Sequence, residues 1–152
     1  MAVDYAAVAA GMNQAIPFNG YVGLETVTVA PDHGVVKLPD AANLHNHVGS
    51  QHAGALFTAG EAASGAAFVG AFLELMGGIT PLAESAEISY RKIARGEITA
   101  TGRFAADMEA LREELDREGR LRFPIEVEMT DPDGNVVAEM TVNWYVRKND
   151  AS

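Results

Sequence analysis

The sequence predicts an α+β fold in which an antiparallel, curved sheet wraps around one long central helix. Three observations predict it. Residues 53–73 are free of charge except for Glu61 and are rich in Ala and Gly, a composition that lets a sheet approach a helix axis closely. About six strand-like runs, mostly joined as hairpins, fill much of the remainder. At 152 residues, 48% hydrophobic and 21% charged, the chain can bury a substantial core, so residues 1–152 are read as one domain without repeat or linker.

Residues 2–14 suit a short helix, which Pro17 and Asn19-Gly20 are expected to end. Residues 21–29, with Val22, Leu24, Val27 and Val29, read as the first strand. Pro31-Asp32-His33-Gly34 turns the chain, and residues 35–38 return as the second strand. Residues 40–51 read as loop. The long helix is expected from about 52 to 75, with Ser50 as its N-cap and Gly77-Gly78 as its stop. Residues 87–91 and 96–104 read as the next two strands. Residues 109–118 form a short polar helix at the sheet margin, with Leu111 and Leu115 one turn apart and Gly119 at its end. Residues 121–129 and 136–146 then pair as a hairpin across Asp131-Pro132-Asp133-Gly134-Asn135.

Helical geometry places Phe57, Glu61, Ser64, Gly65, Phe68 and Phe72 on one stripe. The opposite side carries Ala59, Gly60, Ala63, Ala66, Ala67 and Gly70. An ionised side chain in such a helix costs free energy unless it is compensated. Glu61 is therefore either paired, for instance with an Arg of a neighbouring strand, or used chemically. Aromatic surroundings should raise its pKa.

Lys and Arg number 11 against 21 Asp and Glu, and the net charge of -10 opposes binding to nucleic acid and to anionic membranes. Arg91, Lys92 and Arg95 form a local basic cluster, read either as a solvated strand edge or as a phosphate-binding patch. The absence of Cys excludes disulfides, thiolate nucleophiles and Cys-type zinc sites, and suits a cytoplasmic location. Met1-Ala2-Val3-Asp4 has no basic segment before an apolar core, so no secretory signal is expected. Residues 53–73 are long enough to span a membrane, but their Ala and Gly content and Glu61 favour a buried helix of a soluble protein. His45, His47 and His52 match no strong zinc pattern, and neither metal nor cofactor is expected.

The loop before the helix reads Asn46-His47-Val48-Gly49-Ser50-Gln51-His52-Ala53-Gly54. Its pattern Asn46-x-x-Gly49-x-x-His52-Ala53-Gly54, with Glu61 nine residues after His52, resembles the hotdog-fold thioesterases. Many of these carry Asn-x-x-Gly-x-x-His-Gly-Gly with an Asp or Glu nine residues after the His. Residues 88–96 and 143–146 look like later strands of the same superfamily, so the resemblance covers nearly the whole chain. It implies a hotdog fold and hydrolysis of acyl-CoA or acyl-carrier-protein thioesters at sites shared between subunits. Two positions depart from the pattern. Ala53 replaces the first Gly of the triplet, and Ala83 stands where some relatives place a Ser or Thr on the strand after the helix, with Thr80 or Ser85 as candidate replacements.

Thioester hydrolysis requires a base or nucleophile, donors for the developing oxyanion, and a pocket for the acyl group. Glu61 is the candidate base or nucleophile. The amides of Ala53 and Gly54 are candidate oxyanion donors, because the first amides of a helix have no intrahelical acceptor and lie at the positive end of its dipole. Asn46 is the candidate to hold water or the carbonyl, with the satisfaction of loop carbonyls as its structural alternative. His52 is a candidate to orient the loop or contact substrate, and Gly49 to give the loop its tight turn. Phe57, Arg91, Lys92 and Arg95 complete the candidate substrate contacts.

Helical rise places Glu61 about 13 Å from the start of its own helix, whereas reacting atoms approach to about 3–3.5 Å. A homodimer, alone or within a homotetramer, resolves this by setting each helix start against the partner subunit's glutamate. The competing reading is a non-catalytic acyl-CoA-binding or regulatory module, which Ala53 and Ala83 favour. A hydroxyacyl-thioester dehydratase would need a catalytic His that the sequence does not offer.

Overall fold

The first helix, α1 (Tyr5–Ala15), begins where Asp4 Oδ1 accepts a hydrogen bond from the Ala7 amide at 3.0 Å. The computed structural model describes residues 2–150, so Met1, Ala151 and Ser152 at the ends of the predicted domain lie outside the described residues. Pro17 opens a second helix, α2 (Pro17–Val22), instead of ending the first. Proline's fixed φ and missing N–H suit the first helical position, and Gly23 closes α2 in the left-handed conformation at φ 85°. Tyr21 and Val22 are therefore helical, and β1 (Glu25–Val29) starts later than the sequence suggested.

The remaining elements follow the expected order. They are β2 (His33–Leu38), α3 (Ala53–Phe72), β3 (Ile79–Tyr90), β4 (Ile98–Phe104), α4 (Met108–Glu118), β5 (Arg120–Thr130) and β6 (Val136–Lys148). A 3-10 turn, Leu73–Gly78, carries α3 to the predicted stop. The N-cap of α3 is His52, not Ser50, whose hydroxyl is engaged with Asn46. β3 begins well before residue 87. α4 buries Leu111 and Leu115 and packs on β5 and β6 with its charged face outward, as an excursion between strands should.

All pairings are antiparallel, in the order β1-β2-β4-β5-β6-β3. The sheet wraps α3, which lies mainly against β2 and β4 and reaches β1, β5 and β6. Small residues make this contact possible. Gly34 and Gly102 face each other across β2 and β4. A Cβ on Gly34 would lie 2.6 Å from the Ala66 Cβ, and one on Gly102 would lie 2.7 Å from the Ala63 carbonyl oxygen. The helix long and apolar enough to cross a membrane is thus enclosed within the fold.

The stripe predicted around Glu61 splits. Ser64, Phe68 and Phe72 are buried, and Phe68 stacks on Phe72, Phe123 and Trp144. The accessible line is Phe57, Glu61, Gly65, Val69 and Leu73. A row at spacing four drifts around the helix axis by about 40° per step, and a twisted sheet follows that drift.

The two sheet edges differ. β1 is covered by α1, where Asn13 Oδ1 accepts from the Thr26 amide at 2.6 Å. β3 lacks a neighbour on its outer edge among the described residues, and its residues 82–87 are exposed.

Candidate active site

The loop before α3 is organised by Asn46. Its Oδ1 accepts from the amides of Val48 and Ser50, both at 3.1 Å, and its Nδ2 donates to Ser50 Oγ at 2.9 Å. Gly49, at φ 76°, supplies the left-handed residue this turn requires, and its amide donates to the Asn46 carbonyl at 3.1 Å. Asn46 is thus bound within its own loop.

Gln51, which the sequence reading did not single out, ties this loop to the rest of the fold. Its amide donates to Ala94 O at 2.9 Å, and its Nε2 donates to Pro39 O at 3.0 Å and Gly96 O at 2.9 Å. Its Oε1 is buried without a partner among the described residues. Nothing local in the sequence distinguishes such a clamp from an ordinary loop amide.

The start of α3 separates the two candidate donors. His52 Nδ1 accepts the Gly54 amide at 2.8 Å, so that N–H is occupied. The Ala53 amide has no acceptor among the described residues. Tyr90 Oη donates to the Ala53 carbonyl at 3.1 Å. The peptide between Ala53 and Gly54 is therefore held at both ends. Tyr90 is a second residue that sequence reasoning missed, because its role depends on a neighbour 37 positions away.

Asn46, Ser50, Ala53, Tyr90, Arg91 and Lys92 line one groove of about 400 Å³ beside this helix start. Arg91 also pairs with Glu139 at 3.6 Å, with both side chains exposed, a contact worth little in water. Arg95 is exposed and does not line the groove. The histidines do not converge: His45 bonds Asp40 at 2.6 Å while His52 caps α3. No cluster suited to a metal ion occurs among the described residues.

Glu61 is half-buried on the accessible line of α3. Its carboxylate has neither an ion pair nor a side-chain hydrogen bond among the described residues, so the Arg-pair alternative finds no partner within one chain. Burial raises its carboxyl pKa above the ordinary value. The turn that carries it is anchored from behind. Ser64 Oγ donates to the Glu61 carbonyl at 2.7 Å and accepts from Trp144 Nε1 at 3.1 Å. Ser64→Ala leaves that buried indole N–H unpaired and is expected to cost about 1–3 kcal/mol in urea denaturation.

A domain family described as of unknown function (DUF4442) matches residues 5–146. The chain belongs to this DUF4442 family. No curated protein matches the chain. Its structure is similar to that of a Pseudomonas aeruginosa protein of unknown function described as a probable thioesterase, with 28% sequence identity and a TM-score of 0.85, covering 98% of this chain and 99% of that one. A protein of unknown function from Chlorobaculum tepidum is similar at 18% identity and TM-score 0.79, over 93% of this chain and 95% of that one. The PaaI protein of the E. coli phenylacetic acid degradation operon is similar at 16% identity and TM-score 0.73, over 97% and 96% of the two chains. The fold is the hotdog fold.

Register assigns the faces of β3 in this DUF4442 chain. Ala83, Ala86, Ile88 and Tyr90 stand opposite Trp144, Val142, Met140 and Ala138, and so share the face that bears α3. A bulge separates Ala83 from Ser85. Ser85 shares the outer face with Asn143, whose Nδ2 donates to Ser85 Oγ at 3.0 Å, and Thr80 bonds Asn149. Neither hydroxyl therefore lies on the helix-bearing face beside Ala83.

Proposed function

We propose that this chain hydrolyses acyl thioesters of CoA or acyl-carrier protein in the cytoplasm, at two equivalent sites of a homodimer. Each site joins Glu61 of one subunit to the Ala53 amide of the other. The observation that carries this reading is the pairing of an unoccupied helix N-terminal amide with an unpaired half-buried carboxylate on one unbroken helix. Eight residues separate them by about 12 Å along the axis, too far to act together within one subunit. The described P. aeruginosa relative, a probable thioesterase, supports the reaction class.

The uncovered edge of β3 and its small inner-face residues Ala83 and Ala86 offer the surface on which a second copy docks. In an antiparallel helix pair, the partner subunit's carboxylate lies opposite Ala53 when the two-fold passes near Phe57, midway between positions 53 and 61. The thioester oxygen then accepts from the Ala53 N–H. As a base, Glu61 takes a proton from water, whose oxygen adds to the carbonyl carbon; the C–S bond then breaks and the departing thiolate receives that proton. As a nucleophile, Glu61 attacks the carbon itself, the C–S bond breaks as the anhydride forms, and water opens the anhydride to release the acid and return a proton through Glu61 to the thiolate. Asn46 holds the loop, and Lys92 and Arg91 offer positive charge to the carrier's phosphates.

The test is a panel of acyl-CoAs with a thiol reagent. Release of free CoA is the expected result. Binding without release would instead support a non-catalytic module, which the occupied Gly54 amide and the missing hydroxyl at Ala83 favour. Ala53→Gly restores the common triplet and is expected to keep or increase turnover. Ala53→Pro deletes the proposed donor while preserving the helix start, because His52 already has the extended backbone (φ -67°, ψ 142°) that a following proline requires. It is expected to lower kcat by about 10²–10³-fold with little change in melting temperature. Parental turnover in folded Ala53→Pro would remove Ala53 from the site.

A further inference from the structure

A second groove, of about 290 Å³, opens beside the same helix start. Phe18 and Val22 of α2, Leu44, and Gly54, Ala55 and Thr58 of α3 line it, together with the uncharged Asn43 and the imidazoles of His45 and His52. No Lys, Arg, Asp or Glu contributes to its lining, whereas Arg91 and Lys92 line the first groove. The two grooves lie on opposite sides of one helical turn. Ala53 and Leu56 front the first, and Gly54, Ala55 and Thr58 front the second. Those two sets point about 180° apart at the helical repeat. The unoccupied Ala53 amide stands at the head of that turn, between them.

A thioester has the same division. From its carbonyl one arm runs to the polar, phosphate-bearing thiol carrier and the other to an apolar acyl group. We propose that the second groove is the acyl subsite, and that Phe18 and Val22 of α2 determine which acyl groups it accepts. This rests on the hydrolase reading above and adds the substrate class. The groove has about twice the volume of the ~150 Å³ cavity that takes benzene. That suits an acyl group carrying one aromatic ring, or a medium-length aliphatic chain. Phe18 is 61% exposed, a large apolar surface that an acyl group would cover. The end of α2 is closed by the amides of Gly23 and Leu24, which both donate to the Asn19 carbonyl at 3.0 Å, and Asn19 itself is buried.

The experiment is calorimetric titration of the intact protein with CoA and with a medium-chain ketone analogue of acyl-CoA that cannot be hydrolysed. The parent should bind the analogue at least about tenfold more tightly than CoA, the gain of burying part of an aliphatic chain. Val22→Phe, which fills the groove, should erase that advantage and leave CoA affinity unchanged. Phe18→Ala, a change at an exposed side chain that keeps the fold, should reduce the advantage several-fold and provides the test if Val22→Phe does not fold. A full advantage retained in folded Phe18→Ala and Val22→Phe overturns the subsite while leaving the hydrolase reading intact. A parent that binds neither ligand overturns both.

Discussion

Glu61→Gln is expected to lower kcat by about 10²–10⁴-fold while leaving KM nearly unchanged, because it removes the basic oxygen but keeps shape and polarity. The same substitution is expected to raise the melting temperature at neutral pH. Burial holds the Glu61 carboxyl pKa above its unfolded value, so the folded chain retains the proton at pH values where the unfolded chain has released it. Stability from this group is fully present below the unfolded pKa and is lost as pH rises through the folded one. Glutamine does not ionise, so the gain should be present at pH 8 and vanish near pH 4. Turnover of a hydrolysed acyl-CoA, paired with melting curves at both pH values, measures both effects. A lower melting temperature at pH 8, with parental turnover in the folded fraction, would identify Glu61 as a structural ion-pair partner instead.

Gly34→Ala is expected to be the most damaging methyl addition in the sheet, costing about 1–3 kcal/mol or more in urea denaturation. Its φ is not in the left-handed region, so the cost arises from space alone. The new Cβ would meet Ala66 Cβ at 2.6 Å and the backbone of α3, where no flexible side-chain end can yield. Gly11→Ala is the contrasting control. Gly11 lies within α1 with nothing near its Cβ position, so this change should stabilise the protein by about 0.5–1 kcal/mol through helix propensity and chain entropy. Equal effects at the two sites would mean that sheet and helix are not packed as closely as described.

The sequence makes α3 legible because a helix enclosed by a sheet must be built from Ala and Gly, and few other contexts tolerate so many. The β5–β6 hairpin is legible from Asp131-Pro132-Asp133-Gly134-Asn135, with Gly134 at φ 87°. α2 escapes because Pro17 both ends one helix and begins another, and only tertiary packing decides that residues 17–22 continue as a helix. The first half of β3 escapes because Pro81, Ala83 and Ala86 lack the bulk of ordinary strand residues. Within the candidate site, spacing points to the loop, the helix start and Glu61 as candidates. It does not show that His52 consumes the Gly54 amide and leaves that of Ala53 free, since the difference lies in one imidazole rotamer. Nor can it show that Phe68 and Phe72 turn away from Glu61 to stack on Phe123, because that depends on how the sheet twists across the helix.

The shared site is tested most directly by mixing two inactive variants, Glu61→Gln and Ala53→Pro, under conditions that exchange subunits. A hybrid dimer pairs the intact Ala53 amide of one chain with the intact Glu61 of the other, restoring one of its two sites. Random exchange makes half of the dimers hybrid, so activity should return to about a quarter of the parent's. If both groups served a site within one chain, every subunit in the mixture would remain defective. No recovery after demonstrated subunit exchange would contradict the shared site.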